Sequence, residues 1–200
     1  MRKLVALLLA LATAPAAPLQ GAASRGSADD VRILRIEEYR LKAEFLERFT
    51  HFVKWPDRHE QGVRTTARAE AGRPFRLCLI GTDPFGDSLQ ELARDHRIDA
   101  RRIELRQLQA PAEAAGCQLL FISSSERDRL EPVLAATRGN GVLTVADSEG
   151  FAARGVLINL FVTNDKIGFE VNEQVARREG FEISARLLKL ARRVGEGDGR

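Results

Sequence analysis

The sequence predicts an α/β domain built on a mainly parallel sheet, with antiparallel strands added at one edge. Three observations predict it. From Phe75 onwards, short apolar runs and amphipathic segments follow one another as strand, helix, strand, strand, helix, strand, the alternation of a layered α/β domain. One run, Leu119-Leu120-Phe121-Ile122, is apolar at every position, as a strand covered on both faces must be. Two late runs, 156–162 and 167–171, are separated by Thr163-Asn164-Asp165-Lys166, which is hairpin-turn composition.

The 200-residue chain opens with Arg2 and Lys3, an apolar run over 4–12 and then small, alanine-rich residues. That three-part pattern is a secretory signal, and it is too short to span a membrane. Residues 1–23 are therefore expected to be a signal peptide removed on export, 24–35 a linker, 36–194 one domain and 195–200 a flexible tail. No later apolar run approaches the roughly 18 residues of a span.

The segment 39–56 reads as an amphipathic helix. At about 100° per residue, Tyr39, Ala43, Phe45, Leu46, Phe49, Phe52 and Val53 fall on one half of the wheel, with Arg40, Glu44, Glu47, Arg48 and His51 on the other. Pro56 biases Trp55 away from helical backbone and marks the end. Phe45, Phe49, Phe52 and Trp55 are accordingly either core aromatics or, along one edge, part of a subunit or partner interface, where aromatic residues are enriched.

Residues 57–72 are polar and aperiodic and read as a loop. Phe75–Ile80 is a strand, and Gly81-Thr82-Asp83-Pro84 turns it into a helix over 85–94. The segment 103–108 alternates as a second strand, and Leu119–Ile122 is a third. Ser125 with Asp128 resembles a capping box for a helix carrying Leu130, Val133 and Leu134, stopped at Gly139-Asn140-Gly141. A strand over 142–145, a tight turn over 147–155 and the late hairpin follow. Asn172 caps a short helix ended by Gly180, and Ser184 caps a last helix over 184–194, with Ile183, Leu187, Leu190, Ala191 and Val194 at helical spacing.

Lys and Arg number 31 against 28 Asp and Glu, interleaved along the chain. Charge thus points neither to nucleic acid nor to an acidic membrane surface. An even pair of cysteines in an exported chain, Cys78 and Cys117, is expected to form a disulfide. His51, His59 and His96 show no ligand spacing, so no metal is expected, and no cofactor motif occurs. Gly81–Gly86 matches neither common phosphate-binding glycine pattern, and Ser123–Ser125 lacks a nucleophile elbow. No acid, base and nucleophile set emerges, which is weak evidence against an enzyme because catalytic groups assemble from distant positions. Glu170 and Asn172 share one face of a strand by its period of two, with Arg178 one helix later. Glu170 and Asn172 are candidates for receiving a ligand amine or a partner, alongside plain roles as surface charge and helix cap, and Arg178 is a candidate for partner or ligand recognition.

A family resemblance joins these pieces. Tyr39-x-Leu41-Lys42-Ala43-x-Phe45-Leu46 running to Phe52-Val53-x-Trp55-Pro56, then Phe75–Gly81, Asp83-Pro84-Phe85-Gly86, Gly116-Cys117-x-Leu119–Ile122, Leu143-Thr144-Val145 with Gly150-Phe151, and Phe169-Glu170-Val171-Asn172 closely resemble the YfiR family over nearly the whole mature chain. The resemblance implies a Rossmann-like, three-layer domain, a homodimer, and a periplasmic non-enzymatic regulator. Such proteins restrain an inner-membrane diguanylate cyclase, or another membrane sensor, by binding its periplasmic part, which lowers cyclic di-GMP and biofilm output. Some members carry a second cysteine pair that this chain lacks, so control through a second bridge is not implied. The rival reading is a periplasmic small-molecule binding or sensor protein, with a ligand in the crevice at the strand ends.

Overall fold

The computed structural model describes residues 25–56, 58–60, 63–65 and 72–194, with backbone alone for 25–30, 58–60 and 63–65. The expected signal peptide and tail lie outside the described residues. The elements run α1 (Arg25–Thr50), β1 (Val53–Lys54), β2 (Arg58–Glu60), β3 (Val63–Thr65), β4 (Phe75–Ile80), α2 (Ser88–Asp95), β5 (Arg97–Ile98), β6 (Arg101–Leu108), β7 (Leu119–Ile122), α3 (Leu130–Thr137), β8 (Leu143–Ala146), β9 (Ile158–Thr163), β10 (Lys166–Asn172), α4 (Glu173–Arg178), β11 (Glu182–Ile183), α5 (Ala185–Leu190) and β12 (Arg192–Val194). Two 3-10 segments, Pro111–Gly116 and Ser124–Arg129, precede β7 and α3.

An eight-stranded sheet in the order β12-β10-β9-β8-β7-β4-β6-β5 forms the middle layer. The strands β6, β4, β7, β8 and β9 are parallel, while β10 runs antiparallel to β9 and β5 antiparallel to β6. Because side chains alternate across a strand, each central strand feeds two cores. Leu77, Leu79, Leu119, Phe121, Leu143, Val145, Ile158 and Leu160 join α1 and α2 on one face. Cys78, Ile80, Leu120, Ile122 and Ala146 join α3 and Phe151 on the other. Both faces are covered, which is why β7 and β8 are buried at every position.

The hairpin turn is as the composition predicts. Asn164 and Asp165 both have positive φ (49° and 57°), the pair of left-handed residues that a tight two-residue turn requires. Asn172 Oδ1 accepts from Val175 N at 3.0 Å and Ser184 Oγ from Leu187 N at 3.2 Å, so both expected caps are made.

Several elements depart from the sequence reading, each for an identifiable reason. The aromatic helix stops at Thr50, short of Pro56, because Val53 and Lys54 are drawn into strand pairing with Ile183 and Glu182. Toward its start the same helix reaches back to Arg25, so the segment read as a linker is helical from that residue. The polar loop over 57–72 contains the β2–β3 hairpin. After β7 the side-chain cap is made by Ser123, which accepts from Ser125 N at the start of the 3-10 segment, and α3 follows that segment with no side-chain cap at Arg129 in place of the expected Ser125–Asp128 box. The last helix ends at Leu190, and Arg192–Val194 instead pair parallel with Glu170–Asn172. Its apolar spacing was misleading: within α5 only Leu187 is buried, and Leu190 is 73% exposed.

Cys78 on β4 and Cys117 at the entrance to β7 form a disulfide with Cα atoms 6.0 Å apart. Both are fully buried. The bridge closes a 39-residue loop, worth about 3–4 kcal/mol in the chain-entropy account. Replacing both cysteines with alanine is expected to lower the unfolding free energy by that amount. Urea melts of the double variant check it, and a loss under about 1 kcal/mol would show that the unfolded chain gains little freedom.

Candidate functional site

Glu170 lies on β10, on the face opposite Phe169 and Val171, and is 9% exposed. Its Oε1 accepts from Arg192 Nε at 2.9 Å and also from Arg192 Nη2, while Oε2 accepts a longer bond from Asn159 Nδ2 at 3.4 Å. The Arg192 guanidinium also lies 4.5 Å from the Phe161 ring centroid, and Gly168 opposite Phe161 leaves that ring its space, since a Cβ there would come within 2.5 Å of it. Arg193 makes the matching pair with Glu173 at 3.2 Å. Glu170 thus helps tie the last strand to the sheet. Asn172 is buried, capping α4 while its Nδ2 donates to Ala152 O at 2.8 Å. Arg178 is exposed at the end of α4 and bonds Glu179 Oε1 at 2.9 Å; Glu179 Oε2 in turn accepts from Gly139 N. Glu170 and Asn172 share a face, as their spacing predicts, whereas Arg178 is turned to solvent.

The strand order reverses at β4, whose successors β6 and β7 lie on opposite sides of it. In open α/β sheets, ligands sit outside the strand ends at such a point. Here the chain fills that position itself. Gly81 turns with φ +91°, and a Cβ on it would stand 2.4 Å from Ser125 Oγ and 3.0 Å from both Glu126 Cγ and Ser123 Cβ. Thr82 N donates to Ser125 Oγ at 2.8 Å, and Gln107 Nε2 donates to Gly81 O at 2.7 Å. The glycine needed for the turn is therefore also what lets the two loops close on one another.

A buried polar cluster that sequence reasoning missed lies between α1 and the end of β8. Lys42 Nζ donates to Asp147 Oδ2 at 2.7 Å, and both side chains are about 95% buried. Tyr39 OH donates to the same oxygen at 2.8 Å, Glu38 reaches Lys42 at 2.5 Å, and the ammonium lies 4.3 Å from the Tyr39 ring centroid. Burial, followed by the charge and hydrogen bond of Asp147, holds the Tyr39 phenol well above its ordinary pKa, so it remains a donor. One signal was available: Lys42 falls among Tyr39, Leu46 and Phe49 on the apolar half of the wheel, where a charge requires a partner.

The aromatic side chains of α1 and of the segment that follows it pack within the chain. Phe49 is 1% exposed, with its ring 5.2 Å from Phe169 and 5.9 Å from Phe45. Phe52 is half-buried, with the Arg186 guanidinium 5.8 Å from its ring centroid. Trp55 stands edge-on to Phe75 and Phe181 and donates its indole N–H to Gln118 O at 3.2 Å. His51 and His96 both approach Glu47, at 2.8 and 4.0 Å. Among the described residues no group of three or more His, Cys, Asp or Glu side chains is placed to hold a metal, and no helix is long and apolar enough to cross a membrane.

Two solved structures share part of this backbone. One is an ABC domain in complex with L-Trp from Streptococcus pneumonia, with 10% identity over 60% of this chain and a TM-score of 0.46. The other is a conserved domain protein from Vibrio cholerae O1 biovar El Tor, with 11% identity over 62% of this chain and a TM-score of 0.47. The aligned part spans 55% of each of those chains. A family profile described as YfiR/HmsC-like matches residues 39–192, from the phenol beside Asp147 to the arginine that holds Glu170. The chain therefore belongs to the YfiR/HmsC-like family.

Proposed function

We propose that the protein is a periplasmic, non-catalytic regulator that binds the periplasmic part of an inner-membrane diguanylate cyclase and represses cyclic di-GMP output. Family membership over residues 39–192 carries this reading. The closed crevice at the strand-order reversal supports it, because a small-molecule sensor of this architecture would use that space and here Gly81 is packed onto Ser123, Ser125 and Glu126. Recognition then falls to the surface. A regulator shifts its target only by the difference in its affinity for the target's two states, typically about 1–3 kcal/mol.

Arg178 is the cleaner probe of a contact surface, since it is exposed and its bond to Glu179 lies at the rim. Arg178→Ala is expected to weaken capture of the cyclase's periplasmic domain while leaving the thermal midpoint unchanged. Glu170→Ala is expected to weaken capture and to lower the midpoint as well, because it releases Arg192. Pull-downs and melts on the same variants separate the two effects. Deleting the gene is expected to raise cellular cyclic di-GMP, measured by mass spectrometry; an unchanged level in cells that normally express the protein overturns the reading.

A further inference from the structure

The outer edge of β6 is open for most of its length. β5 pairs with it at Arg101 and Arg102 alone, whereas Ile103 to Leu108 are paired on the inner side, with Phe75 to Ile80 of β4. Among the described residues no other strand lies against that edge. Residues 104–107 reach solvent there, while β7 and β8, inside the sheet, are buried throughout. Such an edge presents a row of backbone N–H and C=O groups, a template for pairing with another extended segment.

The two faces beside the edge differ in chemistry. On the face that carries α2, a groove of about 240 Å³ is lined by Leu79, Leu89 and Leu105 together with Gln90 and Gln107. Arg102 and Arg106 fall on the opposite face by the strand's period of two. Arg97 stands directly opposite Arg102 across the β5–β6 pair, an unfavourable placement for like charges. Arg97 donates to the carbonyls of Arg94 and His96, and among the described residues neither guanidinium makes an ion pair. Glu104, on the same face, is already shared by Arg76 at 4.0 Å and Arg106 at 3.6 Å.

An open ladder with side-chain sites of alternating character is the setting for strand addition, in which main-chain bonds supply affinity and alternate side chains supply selectivity. We propose that the outer edge of β6 receives an extended segment of a partner protein as a further strand, with an aliphatic side chain in the groove beside Leu105 and carboxylates toward Arg102 and Arg106. A helix would leave the edge unpaired, because its own backbone groups are bonded within it. A basic segment would add charge to guanidiniums that already face one another, and a wholly polar one would leave the leucine groove wet. The site lies at the opposite end of the sheet from Glu170 on β10, and it goes beyond the cyclase reading, since it specifies the chemistry of a segment and not the protein that carries it.

Amide hydrogen exchange of the purified protein tests this, with a synthetic peptide alternating glutamate and valine as the probe. The peptide is expected to slow exchange within 104–108 and to leave β10 and β12, at the other edge, unchanged. Methylating alternate peptide nitrogens is expected to abolish binding in one register and to spare it in the other, because an added strand pairs along one of its edges. The double variant Arg102→Glu/Arg106→Glu is expected to bind the peptide at least about tenfold more weakly, equivalent to about 1.4 kcal/mol, and to accept a lysine–valine peptide instead. Its thermal midpoint is expected to change little, since both side chains are exposed. No binding at millimolar peptide, identical effects of the two methylation patterns, or equal binding by the charge-reversed protein overturns the proposal. Protection of 104–108 that grows with protein concentration in the absence of peptide assigns the edge to a second copy and overturns it as well. Cellular cyclic di-GMP is read separately, so failure of the edge and failure of the cyclase reading are told apart.

Discussion

Asp147→Ala is expected to destabilise the protein by about 3–5 kcal/mol, the cost of leaving a buried charge without its partner. The ammonium of Lys42 would remain about 95% buried with only Glu38 beside it, and the Tyr39 hydroxyl would lose its acceptor. Lys42→Met alone is expected to cost a similar amount, by stranding the carboxylate. The double variant Lys42→Met/Asp147→Leu is expected to recover most of the loss, because a well-packed apolar pair can replace a buried ion pair at little net cost. Denaturant melts of the four proteins in a double-mutant cycle give the coupling directly. Single losses under about 1 kcal/mol would mean that water reaches the pair, and that α1 is held on the sheet by its phenylalanines alone.

Those phenylalanines are the second large effect. Phe49→Ala is expected to cost about 3–5 kcal/mol, the range for removing a fully buried aromatic side chain. Phe49 is 1% exposed and packs against Phe45 and Phe169, so its loss opens a void where the helix crosses β10. Arg178→Ala, at an exposed position, is expected to fall within about 0.5 kcal/mol. Equilibrium unfolding separates the two classes, and a Phe49→Ala loss near that of Arg178→Ala would show that the neighbouring rings close over the vacated site.

Much of this architecture was legible because its determinants are local. The uninterrupted Leu119–Ile122 run states that both faces of a strand are covered, the left-handed pair Asn164 and Asp165 closes a hairpin, and Asn172 and Ser184 cap helices within three residues of themselves. What the sequence concealed depends on distant partners. Val53 continues an apolar helical period, yet Val53 and Lys54 form a strand because Ile183 and Glu182 lie alongside. Val194 fits a helical stripe, yet it pairs with Asn172 because the edge of β10 is open and Glu170 and Glu173 receive the two preceding arginines. The same holds for the candidate site. The period of two placed Glu170 and Asn172 on one face, but nothing local reveals that Arg192 answers Glu170, or that Lys42 and Asp147, 105 residues apart, meet in the interior.

The seating of α1 on β10 also bears on how the protein is made. Synthesis runs from the amino end at roughly 5–20 residues per second, so the helix bearing Phe45 and Phe49 emerges first, whereas the strand carrying Phe169 emerges among the last. The carboxylate that anchors Tyr39 arrives 108 residues after it. Cys78 and Cys117 and the parallel strands around them are complete well before either. A nascent chain therefore spends several seconds with its aromatic helix made and the strand that covers it not yet made, and that interval is when a holding chaperone would be of most use to it.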